Sequence, residues 1–231
     1  MLEAIGESPE DLDAVFITHE HSDHIAGLRG LSRFPGITFF ANEDTARAAS
    51  RGLKRPPRWH LFSTGTTFSF RDLEIASFAV PHDGSDPVGF TFTMGGEDLF
   101  RPLHRLGWVL DLGYAPSLVR EKIRSVHTLV LEANHDTELL RLDTKRPWST
   151  KQRISGRHGH LSNEVACEVL TEGLPHAQWQ EITLAHLSHD CNSLEAIRRS
   201  FAGFLTTLGG KCTLQAIDRS GQLTGLCPCP V

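Results

Sequence analysis

One short segment constrains this chain more than any other: residues 18–24 read Thr-His-Glu-His-Ser-Asp-His, directly after the apolar run Ala14-Val15-Phe16-Ile17. The run has the composition of a buried strand, so the histidines follow a strand end. Imidazole and carboxylate groups are ligand types that suit zinc and similar divalent ions. Histidines two positions apart can converge on one ion, while Asp23 and His24 point towards a second. The segment therefore predicts a metal site.

Size and composition narrow the class of protein. The 231 residues suffice for one large domain, which we expect over residues 1–226, followed by a disordered tail over 227–231. Because the net charge is −5 with His neutral, nucleic-acid binding would have to come from local basic patches. Five cysteines at irregular spacings favour a reducing cytoplasm over a disulfide framework. No apolar run approaches the roughly 20 residues of a membrane-spanning helix, so we expect no membrane association.

Strand and helix patterns alternate along the chain, with several hairpins between them. The expected strands cover residues 14–18, 37–41, 68–70, 73–80, 88–94, 108–110, 128–132, 182–185 and 212–217. The expected helices cover residues 22–29, 43–51, 116–124, 162–172 and 193–207. The alternation predicts a mixed α/β domain with sheets inside and helices outside.

Three further candidate ligands each stand just past an expected strand end: His82, Asp111 and His186. Loops at one edge of a sheet could therefore gather them beside the first histidine segment. Taken alone, a histidine at position 82 or 186 is more often structural than a ligand, and an aspartate before Leu-Gly is more often a turn cap. Their order behind residues 19–24 favours the metal interpretation.

This series of motifs resembles the metallo-β-lactamase superfamily, whose fold is an αββα sandwich. The resemblance implies that one ion is held by His19, His21 and His82, the other by Asp23, His24 and His186, and that Asp111 bridges them. The implied cofactor is a pair of divalent ions, with zinc the first choice and manganese or iron also suited to these ligands. Two adjacent cations would turn a bridging water into hydroxide near neutral pH and would neutralise charge in the transition state.

Further motifs resemble the YycJ/WalJ group of this superfamily, which is described as 5′-to-3′ exonucleases on double-stranded DNA. The motifs are residues 81–90, 111–114, 131–136, 159–163 and 186–192, and the resemblance runs from about residue 1 to about residue 205. It implies a metal-dependent phosphodiesterase that acts on DNA more readily than RNA. Members of the group carry a leading segment that supplies the first strands, and we expect this chain to lack those N-terminal strands.

The group is also similar to tRNase Z, in which a strand-end glutamate supports a histidine that protonates the leaving oxygen. The matching residues are Glu132 and His160, which we assign as catalytic together with Asp23. The alternative is that Glu132 lies at the surface and His160 caps the next helix. Asn134, His135 and Ser162 are assigned to substrate binding, although a polar turn explains Asn134 and His135 nearly as well.

Two basic runs are consistent with a nucleic-acid substrate. The first comprises Lys145, Arg146, Lys151, Arg153 and Arg157, with Trp148 interleaved and no acid among them; the second comprises Arg47, Arg51, Lys54, Arg55 and Arg58, with Trp59 adjacent. Such runs are usually solvated faces. The first leads directly into Gly159-His160, and we therefore predict that Lys151 and Arg153 bind substrate.

Two other functions remain open at this stage. One is a metallo-hydrolase of small-molecule thioesters or lactams, which would not need the basic runs or the Glu132 and His160 pair. The other is an inactive member that binds nucleic acid without hydrolysing it. The oligomeric state does not follow from the sequence.

Overall fold

The computed structural model describes residues 2–96, 102–218 and 221–226, so the predicted tail over 227–231 lies outside the described residues. Two sheets form the centre of the molecule. The smaller sheet is wholly parallel and has the order β1-β2-β3. Its strands are β1 (Ala14–Phe16), β2 (Thr38–Asn42) and β3 (Trp59–Phe62).

Within the described residues, the larger sheet has eight strands. They are β4 (Thr67–Phe70), β5 (Leu73–Ala79), β6 (Val88–Met94), β7 (His104–Val109), β8 (Thr128–Glu132), β9 (Glu181–Ala185), β10 (Thr213–Ile217) and β11 (Leu223–Gly225). The sheet runs in sequence order from β4 at one edge to β11 at the other. Strands β4 to β7 are antiparallel neighbours, β7 to β10 are parallel, and β11 is antiparallel to β10.

The α-helices of the described residues are short. They are α1 (Ser22–Ile25), α2 (Leu28–Leu31), α3 (Glu43–Ala49), α4 (Ser117–Arg124), α5 (Thr137–Leu142), α6 (Trp148–Ile154), α7 (Asn163–Gly173), α8 (Leu194–Ser200) and α9 (Ala202–Leu208). Side-chain caps at Asn42, Asp136, Ser162 and Ser193 accept backbone N–H groups and fix where α3, α5, α7 and α8 begin. Within the described ranges, no helix has the length and apolarity needed to cross a membrane.

Phenylalanines fill the space between the two sheets. Phe16 of β1 stacks on Phe40 of β2 at 4.8 Å between ring centroids, and Phe40 stacks on Phe68 of β4 at 5.5 Å. Successive residues of a strand point to opposite faces, so Phe39 packs on the other side of the small sheet, with Leu28 of α2 and Ala49 of α3. The small sheet therefore lies between the large sheet and a layer of helices.

A second helical layer covers the opposite face of the large sheet. Leu131 of β8 and Leu184 of β9 are fully buried there, in one core with Val119 of α4, Leu170 of α7 and Phe201 between α8 and α9. Burial of these apolar side chains is the main stabilising contribution to the layer. The order helix, sheet, sheet, helix is the αββα arrangement, and the predicted fold class is confirmed.

Candidate metal centre

The direction of the strands brings the predicted site residues to one edge of the sheets. Strands β5, β7, β8 and β9 all run the same way, since β5 and β7 are both antiparallel to β6 and β7 to β9 are parallel. His82, Asp111, Glu132 and His186 therefore stand at or just past carboxyl ends that share an edge. Ile17 and Thr18 extend β1 to the same place, where Val88 N donates to Thr18 O at 3.1 Å.

The first cluster contains His19, His21 and His82. One ring nitrogen from each lies within 4.8 Å of the others. His82 Nδ1 lies 2.9 Å from the carbonyl oxygen of Gly159, and it must donate there because a carbonyl only accepts. That tautomer leaves His82 Nε2 with a free lone pair 3.2 Å from His21 Nδ1. The nitrogens are thus arranged to share one ion.

The second cluster contains Asp23, His24 and His186, whose ligand atoms also lie within 4.8 Å of one another. His186 Nδ1 donates to Glu132 at 2.9 Å, which directs His186 Nε2 towards Asp23 Oδ2 at 3.4 Å. A carboxylate that orients a ligand histidine in this way is a common feature of metal sites. Asp111 lies between the clusters, because it forms a further group with His19 and His24.

Two buried atoms of these clusters lack a hydrogen bond. His19 is 1% exposed, and its Nε2 has no hydrogen-bond partner among the described residues. Asp111 Oδ2 lies 2.9 Å from His24 Nε2 and likewise makes no hydrogen bond within the described part of the chain. Leaving such an atom unsatisfied costs about 1–3 kcal/mol. A divalent ion would engage both atoms, and the nitrogen and carboxylate donors fit that class of ion.

Two of the predicted ligands adopt a strained backbone. Asp111 has φ 56° and His186 has φ 58°, in the left-handed region that residues other than glycine seldom occupy. Each such residue costs on the order of 1–3 kcal/mol and persists only where its surroundings hold it. Asn134 Nδ2 donates to the carbonyl of His186 at 2.9 Å, and Leu112 N donates to Glu132 at 3.1 Å. The strain is therefore stabilised by contacts made next to both ligands.

Glu132 connects the second cluster to His160. Its side chain is fully buried and accepts hydrogen bonds from His160 Nδ1 at 2.8 Å, His186 Nδ1 at 2.9 Å, Leu112 N at 3.1 Å and Leu161 N at 3.0 Å. Burial alone would raise the pKa of Glu132, but the hydrogen bonds from the two imidazoles hold it below its ordinary value. The alternative of a surface glutamate is excluded, and the carboxylate orients two histidines at once.

His160 has the charge state of a proton donor. Burial lowers its pKa, but the adjacent carboxylates of Asp111 and Glu132 outweigh burial and raise the pKa to about 10. Glu132 and Asp111 likewise oppose the effect of burial on His186 and raise its pKa to about 9. An ion held by His186 would therefore have to displace the proton on Nε2. Because Nδ1 of His160 is held by Glu132, Nε2 is the atom that remains for a substrate.

The turn before His160 explains why a glycine precedes it. A Cβ on Gly159 would lie 2.1 Å from the carbonyl oxygen of Ile154 and 2.2 Å from that of Arg153. The close approach allows His160 N to donate to the same Ile154 oxygen at 2.8 Å. The turn thus ends α6 and fixes the backbone position of His160, from which the imidazole extends.

The residues predicted to bind substrate make contacts within the protein. Asn134 supports the backbone of His186, and Ser162 Oγ caps α7 by accepting from Val165 N at 3.2 Å. Lys151 Nζ donates to the carbonyl of Arg141 at 2.8 Å. His135 is buried, and its Nδ1 has no partner. Their assignment to substrate binding stays a prediction.

The first basic run is largely neutralised by acids outside it, of which Asp143 is close in the sequence while Asp190 and Asp83 are distant. Lys145 Nζ lies 2.6 Å from Asp190, and Arg146 bonds both Asp143 at 2.9 Å and Asp190 at 3.0 Å. Arg153 pairs with Asp83. The absence of acids within residues 145–157 therefore did not mean that the cations are free.

Asp83 is a candidate residue that sequence reasoning did not single out. Its Oδ1 lies 3.4 Å from His82 Nε2 and 3.7 Å from His21 Nε2, and both of its oxygens accept from Arg153. Burial would raise the pKa of Asp83, but the hydrogen bond from Arg153 lowers it. The pair brings the guanidinium to the rim of the first cluster. The only available signal was its position next to His82.

In the second basic run, Arg47 is ion-paired, whereas Lys54 and Arg55 line a cleft. Arg47 pairs with Asp44 at 2.6 Å, and Trp59 donates to Ser50 Oγ at 3.0 Å instead of standing free for stacking. Lys54 and Arg55 join two cations from another part of the chain in a cleft of about 530 Å³, lined by Arg29, Ser32, Arg33, Gly52, Leu53, Lys54 and Arg55. Among the described residues, no carboxylate pairs with its four cations.

Comparisons of the sequence and of the structure with known proteins all match members of the β-lactamase superfamily. The β-lactamase superfamily domain matches residues 2–177. Exodeoxyribonuclease YycJ of Bacillus anthracis is 35% identical over 205 residues, 86% of this chain and 73% of the relative. Exodeoxyribonuclease WalJ of Streptococcus pneumoniae is 36% identical over 199 residues, 84% of this chain and 71% of the relative. The metallo-β-lactamase fold protein YhfI of Bacillus subtilis has a similar fold, with a TM-score of 0.64, 17% identity, and coverage of 94% of this chain and 79% of that structure.

Proposed function

This chain belongs to the metallo-β-lactamase superfamily, in the YycJ/WalJ branch, and from that premise we propose that it is a metal-dependent phosphodiesterase acting on DNA. It is a hydrolase. We propose that it removes nucleotides in the 5′-to-3′ direction, as the resemblance of its motifs to the YycJ/WalJ group implies. We further propose that residues 1–226 act as one catalytic domain and that DNA is preferred to RNA, as the names of the two relatives suggest. Cys167 and Cys191 are thiols, which is consistent with a reducing compartment such as the cytoplasm.

The observation that carries the proposal is the position of the His160 imidazole. It is held by a fully buried carboxylate that also orients a candidate metal ligand. Hydrolysis of a phosphodiester expels an alkoxide, which needs a proton as the P–O bond breaks. The raised pKa of His160 keeps its ring protonated at neutral pH and so supports a role as general acid. Thioester and lactam hydrolysis does not explain this pair as directly.

The metal ligands proposed are His19, His21 and His82 for one ion, Asp23, His24 and His186 for the other, and Asp111 between them. Two bound divalent ions would supply Lewis-acid activation of water and would neutralise charge on the phosphate oxygens. Zinc is the first choice, with manganese and iron as alternatives. The chain itself orients these ligands: Glu132 fixes the tautomer of His186, and the carbonyl of Gly159 fixes that of His82.

Electrostatic attraction of the duplex backbone rests on the cleft between Arg29 and Arg55 more than on the paired cations Lys145, Arg146 and Arg153. The four cations of the cleft have no acidic partners in the described residues, so they can neutralise phosphates without first breaking an ion pair. Arg29 lies on α2, directly after the metal-binding segment. Cationic surfaces of this kind supply most of the sequence-independent affinity for DNA.

A substrate panel tests the proposal. Purified protein loaded with zinc or manganese is incubated with end-labelled duplex DNA, the matching RNA duplex, a thioester and a lactam, with a chelated sample as control. We expect stepwise release of nucleotides from the 5′ end of DNA, abolished by the chelator. Hydrolysis of the thioester or lactam with DNA left intact would assign the site to small molecules. DNA binding without hydrolysis of any substrate would indicate an inactive member.

A further inference from the structure

A groove between α5 and α6 has no role in the chemistry described so far. It has a volume of about 310 Å³ and is lined by His135, Thr137, Leu140, Arg141, Trp148, Lys151, Gln152 and Ser155. Its walls are mostly apolar, and Leu140 is buried beneath it. Trp148, the first residue of α6, lines the groove with 67% of its surface exposed. We name this site the α5–α6 groove.

His135 lines the groove and is 1% exposed. Its Nδ1 is buried and makes no hydrogen bond with any residue that the structure describes. Burial lowers the pKa of His135 to about 4, so the ring is neutral at pH 7 and offers one donor and one acceptor. A buried, unsatisfied polar atom costs about 1–3 kcal/mol. A ligand that could hydrogen-bond this nitrogen would relieve that cost.

The groove adjoins the candidate catalytic residues. His135 is three residues beyond Glu132, and its carbonyl accepts from Asn163 N at 2.8 Å, next to the turn that carries His160. On the other wall, Ser155 follows α6 directly, and the carbonyl of Ile154 accepts from His160 N at 2.8 Å. A group bound in the groove would therefore lie one short segment away from the imidazole of His160.

The chemistry of the groove indicates a planar, aromatic and polar ligand that is attached to an anion. The exposed indole of Trp148 can stack on a flat ring, and His135 can bond a polar edge of that ring. Lys151 lines the groove, and its ammonium has no carboxylate partner among the residues described, so a negative charge there would be stabilised. A nucleotide combines these features.

We propose that the α5–α6 groove binds the nucleobase of the terminal nucleotide of the DNA strand being hydrolysed. This inference rests on the proposed function for its substrate class. A terminal base that stacks on Trp148 has left its own base pair, so the groove stabilises a frayed duplex end. Extrusion of a base costs a few kcal/mol in a duplex and less at an unpaired end. Duplexes with an unpaired terminal base are therefore cleaved faster than fully paired ones.

Binding is measured first in chelated protein, where no cleavage occurs. The probe is a duplex with 2-aminopurine as an unpaired 5′-terminal base, whose fluorescence is quenched on stacking. Wild type is expected to quench the probe, Trp148→Phe to retain the quenching and Trp148→Ala to lose it. Leu142→Ala is the matched control, because Leu142 is an exposed residue of α5 outside the groove. Equal quenching by Trp148→Ala and wild type would overturn the inference.

Cleavage then compares a normal 5′-terminal nucleotide with an abasic one in metal-loaded protein. A stacked base corresponds to about 5- to 150-fold in affinity, and we expect wild type to prefer the normal end by a factor in that range. Trp148→Ala should lose the preference because it slows cleavage of the normal end only, while it cleaves the abasic end at the wild-type rate. If quenching depends on Trp148 but no variant cleaves DNA, the nuclease proposal fails and the groove stands. If Trp148→Ala instead changes the oligomeric state and leaves quenching intact, the groove is a protein interface and the inference fails.

Discussion

A single carboxylate, Glu132, orients both the candidate general acid His160 and the candidate metal ligand His186. One of its oxygens accepts from both His160 and His186, and the other accepts from two backbone amides. The full set of bonds means that Glu132 has no free lone pair with which to attack a substrate or accept its proton. It acts as a positioning residue, since it orients a candidate acid on one side and a candidate metal ligand on the other.

The role of His160 can be separated from that of the ligands. His160→Ala should keep its metal ions but cleave DNA ~10²–10⁴-fold more slowly, the usual range for loss of a general acid. A phosphodiester with a p-nitrophenolate leaving group should be hydrolysed at nearly the wild-type rate, because that leaving group needs no proton. Rates on both substrates, with metal content measured on the same samples, decide the matter.

His189→Ala serves as the control for this variant, because the side chain of His189 is exposed and stands outside the clusters. Equal slowing of His160→Ala on both substrates would argue that His160 binds phosphate and does not transfer a proton.

At the scale of secondary-structure elements, the turn from α6 to His160 determines the site. Gly159→Ala should destabilise the protein and lower DNA cleavage more than 10-fold, roughly the effect of a 1.4 kcal/mol loss, because the added methyl would overlap two backbone carbonyls. Gly203→Ala, in α9, should have no such effect, since nothing lies within 4 Å of the added Cβ. Alanine there is expected to stabilise α9 by up to about 1 kcal/mol.

Urea unfolding and DNA cleavage of the two glycine variants provide the measurement. Unchanged stability and activity in Gly159→Ala would show that the turn can relax without moving His160, which would contradict its proposed importance.

The sequence predicts the elements that have a clear apolar pattern and misses those that do not. The core strands β2, β5, β6, β8, β9 and β10 lie where the periodicity indicated. Helix α6 was not predicted, because it buries no residue and therefore has no apolar stripe. The single helix expected over 193–207 is divided at Phe201, although its apolar residues pack into one core on both sides of the break. The apolar periodicity of a sequence predicts which face of a helix is buried. It does not show whether the helix is interrupted, because the same face stays buried on both sides of a break.

In the candidate site, too, the sequence predicts features that depend on the local pattern and misses contacts between distant parts of the chain. The strand-end positions of His82, Asp111 and His186 indicated that these side chains lie near the first histidine segment, and the resemblance implied how they group. The structure brings the same side chains together, and their binding of metal stays a prediction. The ion pairs of Lys145, Arg146 and Arg153 were not predictable, since their partners are brought in by the tertiary fold. For the same reason, the sequence did not connect Arg29 and Arg33 with Lys54.

Over the whole molecule, a net charge of −5 requires that DNA be attracted by a local surface. Removing unpaired cations and removing ion-paired cations should affect the salt dependence of duplex binding differently. Lys54→Ala/Arg55→Ala should weaken duplex binding and reduce the slope of log affinity against log salt by about 1.8, since each phosphate contact contributes about 0.9. Lys145→Ala/Arg146→Ala should change the slope far less, because Asp143 and Asp190 already neutralise those cations.

Salt titrations of duplex binding compare the two double variants, and hydrolysis of a small phosphodiester serves as the control for an intact site. A larger change of slope in Lys145→Ala/Arg146→Ala than in Lys54→Ala/Arg55→Ala would reverse the assignment and place the main phosphate contacts at Lys145 and Arg146.

The central claim is that the histidine and aspartate clusters hold the ions on which hydrolysis depends. Chelated wild type and His21→Ala are reloaded with zinc or manganese, and bound metal per chain and DNA cleavage are followed in one titration. Wild type should regain activity as it binds up to two ions, because two groups of ligands converge at the site. His21→Ala should bind less metal and remain inactive. Full metal occupancy with unchanged DNA cleavage in His21→Ala would contradict the account.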